Sequence, residues 1–157
     1  MTPAVEAAKA AGIEFEVVEY EHDAGAESYG LEAAAKLGVD PERVFKTLVA
    51  RLDGRRLVVG IVPVDAQLDM KALANALAGR RAEMAPPADA ERATGYVLGG
   101  ISPLGQKRRL PAALDESALA FDRVYVSAGR RGVEIALAPA DLARVAGATV
   151  AAIARRS

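Results

Sequence analysis

The chain contains no cysteine, which excludes disulfides, thiolate metal sites and a cysteine nucleophile at once. Its single histidine, His22, is too little for an ordinary zinc site, and neither a metal nor another cofactor is expected. Tryptophan is absent, and aromatic content is limited to three Phe and four Tyr. Alanine, valine and leucine must therefore do most of the packing in a chain that is 52% apolar. No apolar run approaches the roughly 20 residues that span a bilayer, and residues 1–6 lack the basic start of a signal peptide, so no membrane association and a cytoplasmic location are expected. A basic excess is missing too, since 20 Lys and Arg face 21 Asp and Glu for a net charge of −1. Any contact with nucleic acid must then be local. The candidates are Arg55-Arg56, Arg80-Arg81, Lys107-Arg108-Arg109, Arg130-Arg131 and Arg155-Arg156, each of which also reads as a solvated turn or terminus.

What is present suggests one domain over residues 1–157, a length within the usual single-domain range. Thr2-Pro3 is a cap followed by a first-turn proline, which predicts a helix over 3–11 ending at Gly12. Ile13 to Tyr20 alternates as a strand whose buried face holds Ile13, Phe15 and Val17. A polar connection, Glu21 to Glu27, leads to Ser28, which caps a helix with Leu31, Ala34, Ala35 and Leu37 inward and Gly38 as its stop. Asp40-Pro41 predicts a single turn. The firmest element is a hairpin of Val44–Leu52 and Arg56–Val62 around Asp53-Gly54, because that dipeptide suits the primed turns hairpins need. Helices follow after Asp69, from Asp89 to Gly95 and from Pro139. Tyr96 to Gly105 reads as a strand entering a glycine-rich loop, and further strands are expected at 123–126, 133–137 and 148–154. Hairpins mixed with short helices in irregular order indicate an α+β fold.

Chemistry-bearing residues are few. Alternation along β-structure puts Lys46 on the face of Leu48 and Ala50, opposite Phe45, Thr47 and Val49. It reads either as an edge lysine that deters aggregation or as a cation held for a phosphate or oxyanion. Gly99-Gly100-Ile101-Ser102-Pro103 is either a bulge or a loop that brings backbone amides to a ligand. The stretch from Ser127 to Gly132 is a hairpin loop or a small-residue wall beside a ligand. His22, flanked by Glu21 and Asp23, reads as a surface residue. No G-x-S-x-G spacing supports a serine triad for Ser28, Ser102 or Ser127.

Several segments, taken together and in order, resemble the YbaK family, which is related to the editing domain of bacterial prolyl-tRNA synthetases. They are Met1-Thr2-Pro3-Ala4-Val5, Tyr20-Glu21-His22-Asp23, Val44-Phe45-Lys46-Thr47-Leu48, Gln67-Leu68-Asp69, Thr94-Gly95-Tyr96, the run Gly99 to Lys107, Asp141-Leu142-Ala143 and Ile153-Ala154-Arg155-Arg156. The resemblance implies a curved mixed sheet, partly closed like a barrel and flanked by short helices. It implies a trans-editing deacylase that hydrolyses Cys-tRNA(Pro), with the substrate's own thiol attacking the ester, and with tRNA and prolyl-tRNA synthetase as partners. By position, Lys46 would hold the phosphate and ribose of the terminal adenosine. Gly99 and Gly100 would offer backbone contacts to the ester, and Tyr20, Tyr29, Thr47 and Ser127 would line the pocket. Glu134 stands where the family has aspartate. The alternatives are a deacylase for another mischarged tRNA, such as Ala-tRNA(Pro), and a non-catalytic module that binds tRNA or the synthetase.

Overall fold

Side-chain caps start the first three helices where the sequence puts them. Thr2 Oγ1 accepts the Val5 N–H at 3.2 Å as Pro3 opens α1 (Pro3–Ala10). Ser28 and Asp69 do the same for α2 (Tyr29–Leu37) and α3 (Met70–Ala76). Helices α4 (Pro87–Thr94) and α5 (Pro139–Ala146) open on proline and end on left-handed glycines, Gly95 and Gly147. The computed structural model describes residues 1–25 and 28–156; Ala26 and Glu27, the end of the expected polar connection, and Ser157 lie outside the described residues.

The predicted hairpin is the centre of the molecule. Asp53 and Gly54 take φ of 54° and 68°, and the turn joins β2 (Phe45–Leu52) to β3 (Arg56–Pro63). Beside β3 lies β6 (Ala112–Asp115) in parallel, then β9 (Ala148–Ala151); β5 (Ala82–Met84) pairs with Ala50–Leu52 of β2 only. The five-stranded order is β5-β2-β3-β6-β9. A second, antiparallel sheet has the order β1-β8-β7, from β1 (Phe15–Glu19), β8 (Val133–Leu137) and β7 (Val124–Arg130). Short strands β4 (Gln67–Leu68) and β10 (Ala154–Arg155) pair with each other. The two larger sheets meet at a parallel bridge between Val44 and Tyr125, and no closed barrel forms among the described residues. The architecture is the expected α+β mixture of β-sheet and short helices, with the strands divided among three sheets rather than gathered in one.

Both faces of the five-stranded sheet are covered. Phe45, Val49, Val59 and Ile61 face a large core shared with β7, β8, α1 and α4. Ala50, Leu52, Val58 and Val62 face a smaller one closed by Leu73 and Ala74 of α3. Helix α2 sets Ala33 and Ala34 against Val44 and Val64, where β2 begins and just past the end of β3.

Four expectations change. Residues 96–105 form no strand; their polar groups bond locally instead, with the Tyr96 hydroxyl donating to Leu104 O at 2.7 Å and Gln106 Nε2 to Ser102 O at 2.9 Å. Helix α2 buries Glu32, Ala33 and Ala34 and leaves Leu31 and Ala35 exposed, because the Glu32 carboxylate turns inward to a partner described below. Val17 is in register with fully buried Ile135, yet it sits on an edge strand and stays 40% exposed. Residues 148–154 divide between two sheets: β9 extends the large one and Ala154 pairs with Leu68.

Candidate active site

Lys46 and Thr47 point to opposite faces of β2, so a cavity that touches both must lie at the strand's edge. That edge is open, since β5 pairs only from Ala50 onward and β7 leaves β2 after the Val44–Tyr125 bridge. In the wedge lies a cavity of ≈ 320 Å³ lined by Tyr20, Tyr29, Lys46, Thr47, Gly99, Ser127 and Glu134, among others. Every expected site residue except Gly100 is therefore on its wall. Gly100 stands behind it: its carbonyl accepts the Ser127 hydroxyl at 3.0 Å and its N–H donates to Val97 O at 3.0 Å.

The electrostatics are asymmetric. Half-buried Lys46 has its pKa lowered by loss of hydration, with nearby Asp65 opposing the shift, and no ion-pair partner holds its ammonium among the described residues. Glu134 lies opposite Ser127 in the β7–β8 register, so both side chains share the face toward the cavity. Burial pushes the Glu134 carboxyl up to about 8, so it is largely protonated at neutral pH. The Tyr20 hydroxyl has its pKa raised chiefly by burial, with the backbone at Gly132 opposing the shift and the neighbouring Glu134 and Glu32 charges adding to it. The Thr47 hydroxyl is buried without a protein partner, in a residue only 8% exposed.

Glu134 makes stability pH-dependent in a defined direction. Its folded pKa lies above the unfolded value of 4.5, so the native state binds the extra proton between about pH 4.5 and 8 and loses stability as pH rises through that window. The slope from this one group is about 1.4 kcal/mol per pH unit. Urea unfolding of Glu134→Gln at pH 6 and pH 9 is expected to show a variant that gains on the wild type as pH rises; parallel pH curves would contradict the assignment.

Two features were not legible as site elements. Arg131 stacks its guanidinium 4.0 Å from the Tyr29 ring centroid and donates to Leu98 O at 2.7 Å, which ties the glycine loop to α2. His22 Nδ1 lies 2.7 Å from Glu32 Oε1, while Glu32 Oε2 accepts the Asp23 N–H at 2.7 Å. The His22 hydrogen bond, chiefly, holds the Glu32 carboxyl below its usual range. His22 is thus a clamp on α2 rather than a free surface residue, and it also packs against Tyr29 with ring centroids 5.6 Å apart. The signal in sequence was slight: one acid within an alanine-rich helix, and one histidine ten residues before it.

Gly99 is required twice over. Its φ is +86°, and a Cβ there would lie 2.5 Å from Tyr29 ring carbons and 2.7 Å from Arg131 Nε. Gly12 has a similar φ of +68° with nothing within 4 Å of a Cβ, so it isolates the backbone effect. Gly12→Ala is expected to cost about 1 kcal/mol of stability with normal deacylation, whereas Gly99→Ala also displaces Tyr29 and lowers activity. Equal activity of the two variants in a deacylation assay would show that the Tyr29 contact is dispensable.

The inventory limits the chemistry. Ser127 donates its proton to Gly100 and accepts the Gly129 N–H at 3.1 Å, Ser28 caps α2, and no histidine lines the cavity. Ser102 is fully buried and braces Leu104 N. No cluster of three or more metal-ligating side chains occurs among the described residues. What the cavity offers is a cation, a neutral carboxyl, an unpartnered hydroxyl and backbone at Gly99.

Known proteins resemble this chain in sequence and fold. The family model for the aminoacyl-tRNA editing domain matches residues 25–145. A provisionally named Cys-tRNA(Pro)/Cys-tRNA(Cys) deacylase, EbsC of Enterococcus faecalis, is 40% identical over 122 residues, which cover 77% of this chain and 74% of that protein. The multifunctional Ser/Thr-tRNA deacylase ProXp-y of Escherichia coli K12 is 30% identical over 139 residues, 86% of this chain and 81% of its own. A crystal structure of a provisionally assigned trans-editing enzyme for prolyl-tRNA synthetase superposes with a TM-score of 0.85 at 26% identity, covering 98% of this chain and 95% of the other. With the family model spanning most of the sequence, and the YbaK-type segments around Lys46 and Gly99 contributing to the cavity wall, the chain belongs to the aminoacyl-tRNA editing domain family and is an aminoacyl-tRNA deacylase.

Proposed function

We propose that the protein hydrolyses Cys-tRNA(Pro) in trans, with residues 1–157 acting as one editing domain. The observation that carries this reading is the lack, among the described residues on the cavity wall, of any nucleophile paired with a base. A site of that kind suits a substrate that brings its own nucleophile. The cysteine thiolate attacks the ester carbonyl carbon, the bond to the ribose oxygen breaks, and that oxygen takes up the proton the thiol has released. Water then opens the cyclic thioester to free cysteine.

In this reading Lys46 holds the phosphate and ribose of the terminal adenosine. Gly99 presents backbone to the ester, with Gly100 bracing Ser127 behind it. Thr47, Ser127, Tyr20 and Tyr29 shape the amino-acid pocket, and protonated Glu134 is a hydrogen-bond donor within it. Glu134 reaches one methylene further than the aspartate of the resembling family. The wall supplies orientation and charge, and the bond-breaking sulfur comes from the substrate. Editing after the fact has a physical reason, because binding alone rejects a near-isostere by only about 10- to 200-fold. No helix among the described residues is long and apolar enough to cross a membrane, and the reading places the work in the cytoplasm beside prolyl-tRNA synthetase.

ProXp-y, named for serine and threonine, favours a second reading in which a side-chain hydroxyl replaces the thiol. Purified Cys-, Ala-, Ser- and Thr-tRNA(Pro) separate the two. Fastest release of cysteine supports the first; preferential release of serine or threonine supports the second; cleavage of alanine at the same rate as cysteine contradicts both.

A further inference from the structure

We propose that a groove at the far end of the β2–β3 hairpin binds the phosphate backbone of the tRNA duplex while the 3′ end enters the Lys46 cavity. This rests on the reading of tRNA as the substrate carrier. The groove, of ≈ 660 Å³, is lined by Arg55 and Arg56 beyond the hairpin turn and by Lys107, Arg108 and Arg109 from the segment before β6. An adjoining hollow shares Arg55 and Arg56 and adds Arg80 and Arg81. All of these residues are exposed, and none has an acidic partner at ion-pair distance among the described residues.

That concentration is not a by-product of composition. The chain has net charge −1, and elsewhere four arginines are matched by acids: Arg43 with Asp122, Arg123 with Glu16, Arg144 with Asp141, Arg156 with Asp65; Arg131 and Arg155 bond neutral oxygens of Leu98 and Gln67 instead. Within the groove the single acid, Asp89, is taken by Arg51 at 2.6 Å and Arg92 at 3.5 Å. The Asp53 carboxylate in the adjoining hollow accepts the backbone N–H groups of Arg80 and Arg81, both at 2.9 Å, which fixes the chain that carries those side chains. The structure thus gathers unneutralised cations on one concave surface, where they repel one another unless a polyanion lies across them.

Chemistry selects the polyanion. Guanidinium groups match phosphate oxygens in a fork, and a duplex offers a charge about every 1.7 Å along its axis. No Phe, Tyr or Trp lines the groove, whereas a protein partner normally anchors on aromatic side chains. Position agrees. From Lys46 to Leu52, the last residue of β2, six strand steps span about 20 Å, so groove and cavity lie at opposite ends of one rigid hairpin. A nucleic acid with a duplex and a single-stranded 3′ extension can engage both.

The test uses the full chain and uncharged tRNA(Pro), so it is independent of whether deacylation occurs. Fluorescence anisotropy against salt concentration is measured for wild type, for Arg55→Ala/Arg56→Ala/Arg108→Ala, and for Arg123→Ala/Arg144→Ala/Arg156→Ala, which removes the same charge elsewhere. Thermal unfolding checks that each variant is folded. The expected result is that the groove variant binds at least about tenfold more weakly and that its slope of log K on log salt is shallower by about two to three, while the control stays near wild type. Equal affinity and slope for the two variants overturn the proposal. Normal tRNA binding by a groove variant that no longer associates with prolyl-tRNA synthetase also overturns it, and assigns the groove to an acidic protein surface.

Discussion

Exchanging the sulfur of the mischarged residue for oxygen is expected to slow deacylation by at least about tenfold at neutral pH, with protein and tRNA unchanged. A thiol with pKa near 8.5 is a few per cent ionised at pH 7, and its anion is a strong nucleophile. A serine hydroxyl is ionised to a negligible extent, Ser127 is committed to Gly100, no histidine lines the cavity, and the Glu134 carboxyl is largely protonated at neutral pH. The two substrates differ by one atom of similar placement, so packing alone gives little discrimination and the difference lies in the attack step. The cysteine rate should climb with pH toward the thiol pKa and then level. Because Glu134 titrates near the same pH, the profile is best taken with Glu134→Gln beside the wild type. Equal single-turnover rates for Cys- and Ser-tRNA(Pro), or full activity on an S-alkylated substrate, would end the substrate-assisted account.

Lys46→Ala is expected to reduce deacylation roughly 10- to 150-fold, since a hydrogen bond to a charged group contributes about 1.5–3 kcal/mol and each 1.4 kcal/mol is tenfold. The same variant should be no less stable than the wild type. A lysine whose pKa is lowered by lost hydration is paying for its place, and the Asp65 charge offsets that only in part, with no ion pair to Lys46 at contact distance among the described residues. Its contribution becomes less unfavourable as pH rises and the ammonium deprotonates. Loss of activity together with unchanged or increased resistance to urea separates a ligand-holding cation from a structural one; a destabilised variant with normal turnover would assign Lys46 to the scaffold instead.

Local rules located the parts of this molecule better than their meeting place. The hairpin was plain because Asp53-Gly54 states its turn and alternation on both sides states its strands. Strand β6 was missed because Ala112 and Ala113 carry no strand preference; they lie in the sheet because β3 and β9 pair with them on either side. The strand expected to lead from Tyr96 into the glycine-rich loop failed for the opposite reason, as apolar residues there found no neighbouring strand to pair with, and the glycines and Pro103 extend the loop over the whole of 96–105. The wall itself draws on α2, β2, the glycine loop, β7 and β8. Pattern placed Lys46 on the correct face of β2 but could not bring Glu134 within the same cavity, because that depends on the parallel contact at Val44 and Tyr125. Family resemblance supplied the grouping, and long-range topology supplies its physical cause.

The half-paired state of β2 bears on self-association as well as on binding. Residues 45–48 present a strand edge that β5 does not pair, the feature that most readily recruits a second chain into a shared sheet. Here α2 helps to roof it, held by Ala33 and Ala34 against Val44 and Val64 and by the Glu32–His22 clamp. Loosening that helix would therefore do more than blur the pocket, because it would uncover a ready template for intermolecular β-pairing.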